Sequence, residues 1–322
     1  MAIIWRLAIL MLCAATAATT AHGQNYPVKP VRIVVPYAAG GPYDEIVRVM
    51  GQRLTEIWGQ AVVVENRGGA GGNIGADVVA KAAPDGYTLL IGNAGPITVN
   101  PTLFKKLPYD PQRDLAPITM VNAGRMVLSV HPSLPARNVQ ELMALARANP
   151  GKLNYASSGV GNLQHLGMEL LRLQAGVTLN HVPYKGAAPA FVDLISGQVD
   201  LMFANIVGTM PHVRSRRVRA VAVSSATRSP LLPDVPAVAE TYKGFDIPTW
   251  SGMFAPAATP RDIIIKLHAD FNKVLTRADV KERFAHQGAE ATPGTPDALA
   301  DHVRKETVMY AGVIKAAKIV PE

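Results

Sequence analysis

The sequence predicts an α/β protein built as two lobes with a crevice between them. Segments of strand character alternate with segments of helical periodicity along the chain, and the run Val31–Val35 is mostly β-branched, as expected of a strand covered on both faces. Several predicted strands from both halves of the chain end in glycine- or serine-rich loops that lead into helices. The roughly 300 residues after a predicted export signal suffice for two domains with separate cores. We therefore expect parallel sheets in two lobes, with strand ends from both halves facing one crevice.

The first predicted strand, Val31–Val35, ends at Pro36 and leads through Gly40 and Gly41 into a helix with Asp44 in its first turn. Apolar residues recur along this helix at helical spacing: Ile46, Val47, Met50 and Leu54. Glycine lets a ligand approach the backbone, and the exposed N–H groups of a helix start favour a carboxylate or phosphate. An ordinary strand-to-helix turn, with glycine used only for chain reversal, is the alternative.

The chain continues with the same alternation up to its middle. The predicted elements are strands at residues 61–65 and 87–91, a small-residue loop at 92–96, a surface connection at 100–114, extended segments at 115–130 that cross between the domains, and a helix after Asn138. Residues 66–75 form a glycine-rich loop between a strand and a helix. Its glycines at 69, 71 and 75 miss the dinucleotide-binding spacing, so we expect close packing or a wall of the crevice there, and no nucleotide cofactor.

A second candidate anion site is the loop at residues 157–161, which joins a predicted strand to a predicted helix. Ser157 and Ser158 add hydroxyl groups to the backbone donors and the helix N-terminus. His165 lies one turn into the helix, where a packed or solvated histidine is the alternative to a ligand contact. The remaining predicted elements are strands at 179–182, 199–204, 218–224 and 250–255, and helices at 187–196, 260–276, 278–287 and 296–317.

The N-terminal residues predict export from the cytoplasm. Arg6 precedes an apolar run at residues 7–18, and small residues at 21–23 predict signal-peptidase cleavage before Gln24, so residues 1–23 are expected to be a signal peptide. Cys13, the one cysteine, lies in that segment, so we expect no disulfide, thiolate metal site or cysteine nucleophile. No later run reaches the ~18 consecutive apolar residues of a membrane span.

The formal net charge is +8, which is compatible with anionic partners of several kinds. The densest basic cluster has no interleaved aromatic residues and no recognisable nucleic-acid module around it, so we interpret it as a solvated face. Its members are Arg214, Arg216, Arg217 and Arg219. We predict no nucleic-acid partner.

The parts of a secreted hydrolase are missing from the sequence. It has no G-x-S-x-G, H-E-x-x-H or Walker motif and no cysteine–histidine pair. Ser157 or Ser158 with His165 or His181 could supply a nucleophile and a base, but no orienting acid is evident. His181 and His212 are too isolated to argue for a metal site. We predict a binding protein and no enzyme, cofactor or metal.

Five motifs resemble those of the Bug family, the periplasmic solute receptors of tripartite tricarboxylate transporters. They are YPVKPVRIVVPYAAGG from residue 26, VENRGGAGGN from 64, PDGYTLL from 84, YASSG from 155 and HVPYKG from 181. The resemblance covers the chain after the predicted signal peptide. It implies a type II periplasmic-binding-protein fold, with one lobe formed by residues 24–124 and 228–322, the other by 125–227, and a ligand cleft between them.

The resemblance also implies which residues bind the ligand. Those in the first lobe are Tyr37, Ala39, Gly40, Gly41, Asp44, Asn93 and Ala94. Those in the second are Ser157, Ser158, Gly159, Gly161, His165, Tyr184, Lys185 and Asn205. Asn162 and Asn205 depart from the family pattern where the distal end of a ligand would lie. Asp44 opposite an anion would be costly, so we expect it to cap a helix, bind water or meet an ammonium group.

The resulting prediction is a periplasmic receptor that captures a small organic acid and delivers it to membrane permease subunits. The acid could be a di- or tricarboxylate, an aromatic acid or an acidic amino acid. A secreted serine hydrolase and a receptor that signals to a sensor protein are the alternatives.

Overall fold

The computed structural model describes residues 26–287 and 289–316, and the predicted signal peptide with its cleavage site lies outside them. The strands are β1 (Val31–Val35), β2 (Val62–Asn66), β3 (Thr88–Asn93), β4 (Leu115–Val130), β5 (Asn154–Ser157), β6 (Asn180–Pro183), β7 (Leu201–Asn205), β8 (Arg219–Val223), β9 (Pro248–Pro256) and β10 (Glu290–Ala291). The α-helices are α1 (Pro42–Trp58), α2 (Asn73–Ala80), α3 (Asn100–Leu103), α4 (Pro111–Asp114), α5 (Val139–Ala148), α6 (Leu163–Ala175), α7 (Ala187–Ser196), α8 (Ile206–Arg214), α9 (Arg261–Leu275), α10 (Ala278–Gln287) and α11 (Pro296–Ala316). Short 3-10 segments cover Ala70–Gly72 and Val238–Glu240, and a π-helical segment covers Gly95–Val99.

The strands form two mixed sheets that share β4. The first sheet has the order β2-β1-β3-β9-β4, in which β1, β2 and β3 are parallel and β9 is antiparallel to both of its neighbours. The second has the order β6-β5-β7-β4-β8, in which β5, β6 and β7 are parallel and β4 is antiparallel to β7 and β8. β10 adds to β4 in the first sheet.

The prediction of parallel sheets was wrong for β4 and β9. β4 leaves the first sheet at the carboxyl ends of β1 and β3, so it enters the second sheet from the same side of the cleft and runs against β7. β9 makes the return passage and therefore runs against β3. Parallel neighbouring strands are joined by a crossover connection, usually a helix. The direction of β4 and β9 is set instead by their passage from one lobe to the other.

The 16-residue strand β4 changes partner at one point. It pairs with β9 from Leu115 to Arg125, with β7 from Met126 to Val130 and with β8 from Val127 to Val130. Ser224 ties this crossing to the return passage, because its hydroxyl accepts from Met126 N and donates to Ile247 O. The predicted lobe limits stay a prediction. Within residues 229–247, Pro236 O accepts a hydrogen bond from Val223 N, and Ile247 N donates to Ser224 O, so both residues lie beside the second sheet.

Each sheet is covered by helices that the sequence pattern anticipates. The predicted apolar face of α1 is buried against β1 and β3 in one hydrophobic cluster. In the second lobe α6 packs against β7, and α7 packs against β5 and β7. Among the described residues, no helix is long and apolar enough to cross a membrane.

Two local predictions were wrong. Residues 100–114 are not a plain surface connection, because Asn100, Leu103 and Tyr109 are buried, and the Tyr109 hydroxyl donates to Pro96 O at 2.7 Å. The helix α8 was missed because Gly208 and Pro211 disfavour a helix locally, although its buried side is fixed by tertiary packing.

Candidate functional site

A small internal cavity lies where the ends of β1, β3, β5 and β7 face one another across the two lobes. It has two parts of about 10 Å³ each, which share Tyr37, Tyr43, Ser158 and Gln164. The other lining residues are Ala38, Gly41, Pro42, Asp44, Asn93, Met126, Asn162, Leu163, Ala187 and Asn205. Since one water molecule needs about this much space, the lobes are closed here, and a larger ligand enters only when they separate.

A network of tyrosines and asparagines forms the first wall of the cavity. The Tyr37 hydroxyl donates to Asn93 Oδ1 at 3.0 Å, and the two Nδ2 amides of Asn93 and Asn205 donate to the Tyr43 hydroxyl at 2.9 and 3.1 Å. Burial raises the pKa of both tyrosines, so both hydroxyls stay protonated. Because Tyr43 accepts two N–H groups, its own O–H remains available to donate to a ligand.

The second lobe supplies amide donors at the start of α6. Gln164 Oε1 accepts from the backbone N–H and the hydroxyl of Ser158, both at 2.6 Å, which leaves the Gln164 Nε2 amide as a donor. Asn162 Oδ1 caps the helix by accepting from His165 N at 3.0 Å. The Asn162 Nδ2 amide is buried without a hydrogen-bond partner. An unpaired buried donor is costly, so Asn162 is suited to meet an acceptor on a ligand.

The cavity contains one carboxylate, and no Lys, Arg or His is among its described lining residues. Burial alone would raise the pKa of Asp44, but hydrogen bonds from Arg48 and from the Gly40 backbone hold the pKa below its ordinary value. Asp44 is therefore ionised and paired on one oxygen, while Oδ1 is buried without a partner. The N-termini of α1, which has no side-chain cap at Gly41, and of α6 add positive dipole ends.

A family model described as "Tripartite tricarboxylate transporter family receptor" matches residues 46–319. The chain belongs to this receptor family. A protein described as "UPF0065 protein in tcbD-tcbE intergenic region" of Pseudomonas sp. (strain P51) is 40% identical over 311 residues, which are 96% of this chain and 92% of that protein. BugT of Bordetella pertussis is 38% identical over 313 residues, 96% of each chain. The resemblance to the Bug family is confirmed.

Solved structures of other receptors match the whole fold. The periplasmic binding protein BugD aligns with a TM-score of 0.89 at 38% identity, over 92% of this chain and 100% of BugD. Rpa4515 of R. palustris, solved with adipate, gives 0.89 at 35% identity over 92% and 100% of the two chains. MatC of Rhodopseudomonas palustris, solved with malate, gives 0.86 at 34% identity over 90% and 100%. The predicted two-lobed periplasmic-binding-protein fold is confirmed, and these relatives are binding proteins.

The receptor's structure divides the predicted ligand residues into two groups. Those that line the cavity are Tyr37, Gly41, Asp44, Asn93, Ser158 and Asn205. Those outside its lining are Ala39, Gly40, Ala94, Ser157, Gly159, Gly161, His165, Tyr184 and Lys185.

Several residues of the second group make structural contacts. Ala94 O accepts from Thr98, the Tyr184 hydroxyl donates to Asp193 at 2.6 Å, and Lys185 O accepts from Ala38 N at 3.0 Å across the closed lobes.

Ser157 and His181 form the serine–histidine contact that a hydrolase would need, with 2.7 Å between Oγ and Nε2. However, Ser157 is fully buried, and its hydroxyl donates to Gly159 O at 3.0 Å. Either Ser157 Oγ or His181 Nε2 can carry the hydrogen in this contact, depending on the histidine tautomer, but among the described residues no carboxylate is hydrogen-bonded to the His181 ring. Burial, and next the charge of His165, lowers the pKa of His181 to about 4.

Glycines let the two lobes of the receptor meet backbone to backbone. A Cβ atom added at Gly71, in the glycine-rich loop, would overlap the carbonyl oxygen of Val160, and one at Gly186 would lie 2.9 Å from Ala38 N. The loop 66–75 is thus part of the wall at which the lobes close, as one of the sequence interpretations held.

Tyr43, Met126, Leu163 and Gln164 line the cavity but were not singled out from the sequence. The pattern contained a partial signal, since Tyr43 and Gln164 lie within the first turns of the two helices that follow the predicted anion loops. Asn162 was noticed only as a departure from the family pattern.

Proposed function

We propose that this receptor binds a small organic acid between its lobes and presents it to the membrane permease of a tripartite transporter. The observation that carries the proposal is the donor set: two helix N-termini and uncharged N–H and O–H groups converge on a cavity without a cation. Such a site stabilises a carboxylate by dipoles and charge-assisted hydrogen bonds, and the ion pair with Arg48 offsets the charge of Asp44, the one carboxylate of the lining. The adipate and malate of the two related structures have the same chemistry.

Capture proceeds by closure. In the open protein the ligand meets one wall, and the second wall arrives with Asn162 and Gln164 when the lobes rotate about the crossing at Arg125 and Met126. The interlobe bond from Ala38 N to Lys185 O forms only in the closed state, which a permease can distinguish from the open one.

Periplasmic binding receptors are exported proteins, and the family points to that compartment for this chain. The proposal includes removal of residues 1–23 on export, with Gln24 as the first residue of the mature protein. N-terminal sequencing of protein recovered from the periplasm tests it; a chain that still begins at Met1 would contradict it.

The ligand is tested by thermal unfolding of the mature protein, freed of bound ligand by unfolding and refolding, against dicarboxylates, tricarboxylates, aromatic acids and acidic amino acids. A ligand at about 100 times its Kd stabilises the native state by roughly 2.7 kcal/mol, which raises Tm by several degrees. If no carboxylate raises Tm, the proposed ligand class is wrong.

Gly41→Val supplies the site-specific arm of this experiment. A Cβ at Gly41 lies 3.5 Å from Ala38 O and the residue has φ −89°, so the fold tolerates a side chain that fills the cavity wall. Gly312→Val, in open space on α11, is the control. The ligand-induced Tm shift should disappear in the first variant and persist in the second.

The proposal includes no hydrolase activity at Ser157, because this serine is fully buried and no carboxylate among the described residues orients His181. Mature protein incubated with activated esters should show no turnover above that of Ser157→Ala. A rate that disappears in this variant would favour the hydrolase.

A further inference from the structure

A second and larger cavity lies beside the crossing strand β4. Its volume is about 270 Å³. It is lined by Ala123, Gly124, Arg125, Ile206, Ser229, Pro230, Leu231, Ala285, Ala289 and Glu290. These residues come from β4, from α8 and the loop 229–231 beside the second sheet, and from α10 and β10 beside the first. We call this space the hinge cavity.

The hinge cavity contains two charged side chains of opposite sign. Arg125 is half-buried, and its Nε is buried without a hydrogen-bond partner. Glu290 lines the same space, and among the ion pairs of the described residues neither Arg125 nor Glu290 takes part. A guanidinium group favours a carboxylate, while a carboxylate side chain favours an ammonium group.

The rest of the lining is mainly apolar, with Ile206, Pro230 and Leu231 on one side and two alanines of the α10–β10 region on the other. Leu231 has 43% of its surface exposed and offers an apolar contact to a molecule in the cavity. At 270 Å³ the cavity is below the usual range for drug-sized ligands and suits a molecule of fewer than about ten non-hydrogen atoms.

We propose that the hinge cavity binds an apolar α-amino acid. The carboxylate bonds to Arg125, the ammonium group lies toward Glu290, and the aliphatic body packs on Ile206, Pro230 and Leu231. This site is separate from the organic-acid cavity and does not depend on the function proposed for it. A plain monocarboxylate would leave Glu290 repelling its charge, and an amine would leave the guanidinium group of Arg125 without an anionic partner.

The proposal is tested by calorimetric titration of the mature protein with L-leucine, 4-methylpentanoate and L-leucinamide. L-leucine should bind with one-to-one stoichiometry, and each analogue, which lacks one of the two charged groups, should bind roughly tenfold more weakly or not at all. Absence of measurable leucine binding overturns the proposal. Binding of 4-methylpentanoate as tight as that of leucine overturns the role of Glu290.

Three variants locate the bound leucine. Arg125→Gln should lower affinity roughly tenfold or more, and Ala285→Trp, at an exposed position of the lining, should block the cavity. Arg304→Gln is the matched control, because Arg304 lines a separate 270 Å³ groove and is paired with Asp301. Leucine binding unchanged by Arg125→Gln and Ala285→Trp, or lost in Gly41→Val, would place leucine elsewhere and contradict the proposal.

Discussion

Tyr43 joins both lobes to the ligand cavity, since its hydroxyl accepts from Asn93 in one lobe and Asn205 in the other. Tyr43→Phe removes the donor that faces the ligand and leaves two buried amides unpaired. We expect roughly tenfold weaker ligand binding and a loss of about 1–3 kcal/mol in unfolding free energy. Calorimetry and urea unfolding measure the two effects.

Tyr184→Phe tests whether the ligand is confined to the cavity or also contacts Tyr184, as the family resemblance implies. The Tyr184 hydroxyl donates to Asp193 and is outside the cavity lining, so its removal should leave affinity unchanged. A drop comparable to that of Tyr43→Phe would show that the ligand reaches Tyr184, as the resemblance implies.

Glu306 is a buried carboxyl group that makes stability depend on pH. It accepts from Thr98 Oγ1 at 2.7 Å and Trp250 Nε1 at 2.6 Å, is 4% exposed, and burial raises its pKa to about 7. The folded protein therefore holds this proton more tightly than the unfolded chain. The resulting stabilisation is complete below pH ~4.5 and is lost as the pH rises toward 7.

Glu306→Gln keeps an acceptor for both donors and removes the titration. The stability of the wild type relative to the variant should fall by roughly 3 kcal/mol between pH 4.5 and 8. Urea unfolding of both proteins across this range measures the difference. A constant difference would mean that Glu306 ionises normally.

At the level of elements, the glycine loop 66–75 works as a closing surface. Gly71 has φ +63°, and a side chain there would collide with Val160 O of the opposite lobe. Gly71→Ala should therefore disfavour the closed state and weaken ligand binding about tenfold or more, without any contact to the ligand. Titration calorimetry gives the affinity, and small-angle scattering reports whether ligand still compacts the protein.

Gly59→Ala is the control for backbone strain. Gly59 also has φ +63°, but nothing lies within 4 Å of its added Cβ. Both variants should lose similar stability, because both place a side chain at φ +63°. A difference in ligand affinity between them therefore reports the collision with the other lobe. Equal affinities would show that the loop does not meet Val160 in the ligand-bound receptor.

The local sequence pattern predicted the elements that consecutive residues determine. Val31–Val35 and the apolar face of α1 are of this kind, and so is Asn138 as the N-cap of α5, where it accepts from Glu141 N. The directions of β4 and β9 depend on passage between lobes, which no local pattern encodes.

The sequence predicted which loops form the site, but not which of their side chains line the cavity. Gln164 and His165 are neighbours about 100° apart on α6, so one lines the cavity and the other stacks on His181 with 4.3 Å between ring centroids. Which face meets the ligand depends on how α6 packs, and the contribution of Tyr43 depends on an asparagine from each lobe.

At the scale of the whole molecule, the two cavities are lined by neighbouring residues of the chain. Met126 and Asn205 line the ligand cavity, while their chain neighbours Arg125 and Ile206 line the hinge cavity. We expect the crossing to act as a fulcrum between the two cavities, so that a rotation that opens the cleft brings the hinge-cavity walls together. In this closed state the hinge cavity has a volume of about 270 Å³. A molecule bound there should therefore favour closure.

Leucine bound in the hinge cavity should then raise the affinity for the organic acid, and by linkage the acid should raise the affinity for leucine by the same factor, about fivefold or more. The measurement is the Kd of the acid identified by thermal unfolding, with and without saturating L-leucine. Arg125→Gln should abolish the effect of leucine on the Kd of the acid. If leucine binds but the acid has the same Kd with and without it, the hinge cavity keeps its volume when the lobes open, and leucine does not favour closure. If leucine weakens acid binding, the two compete for one cavity.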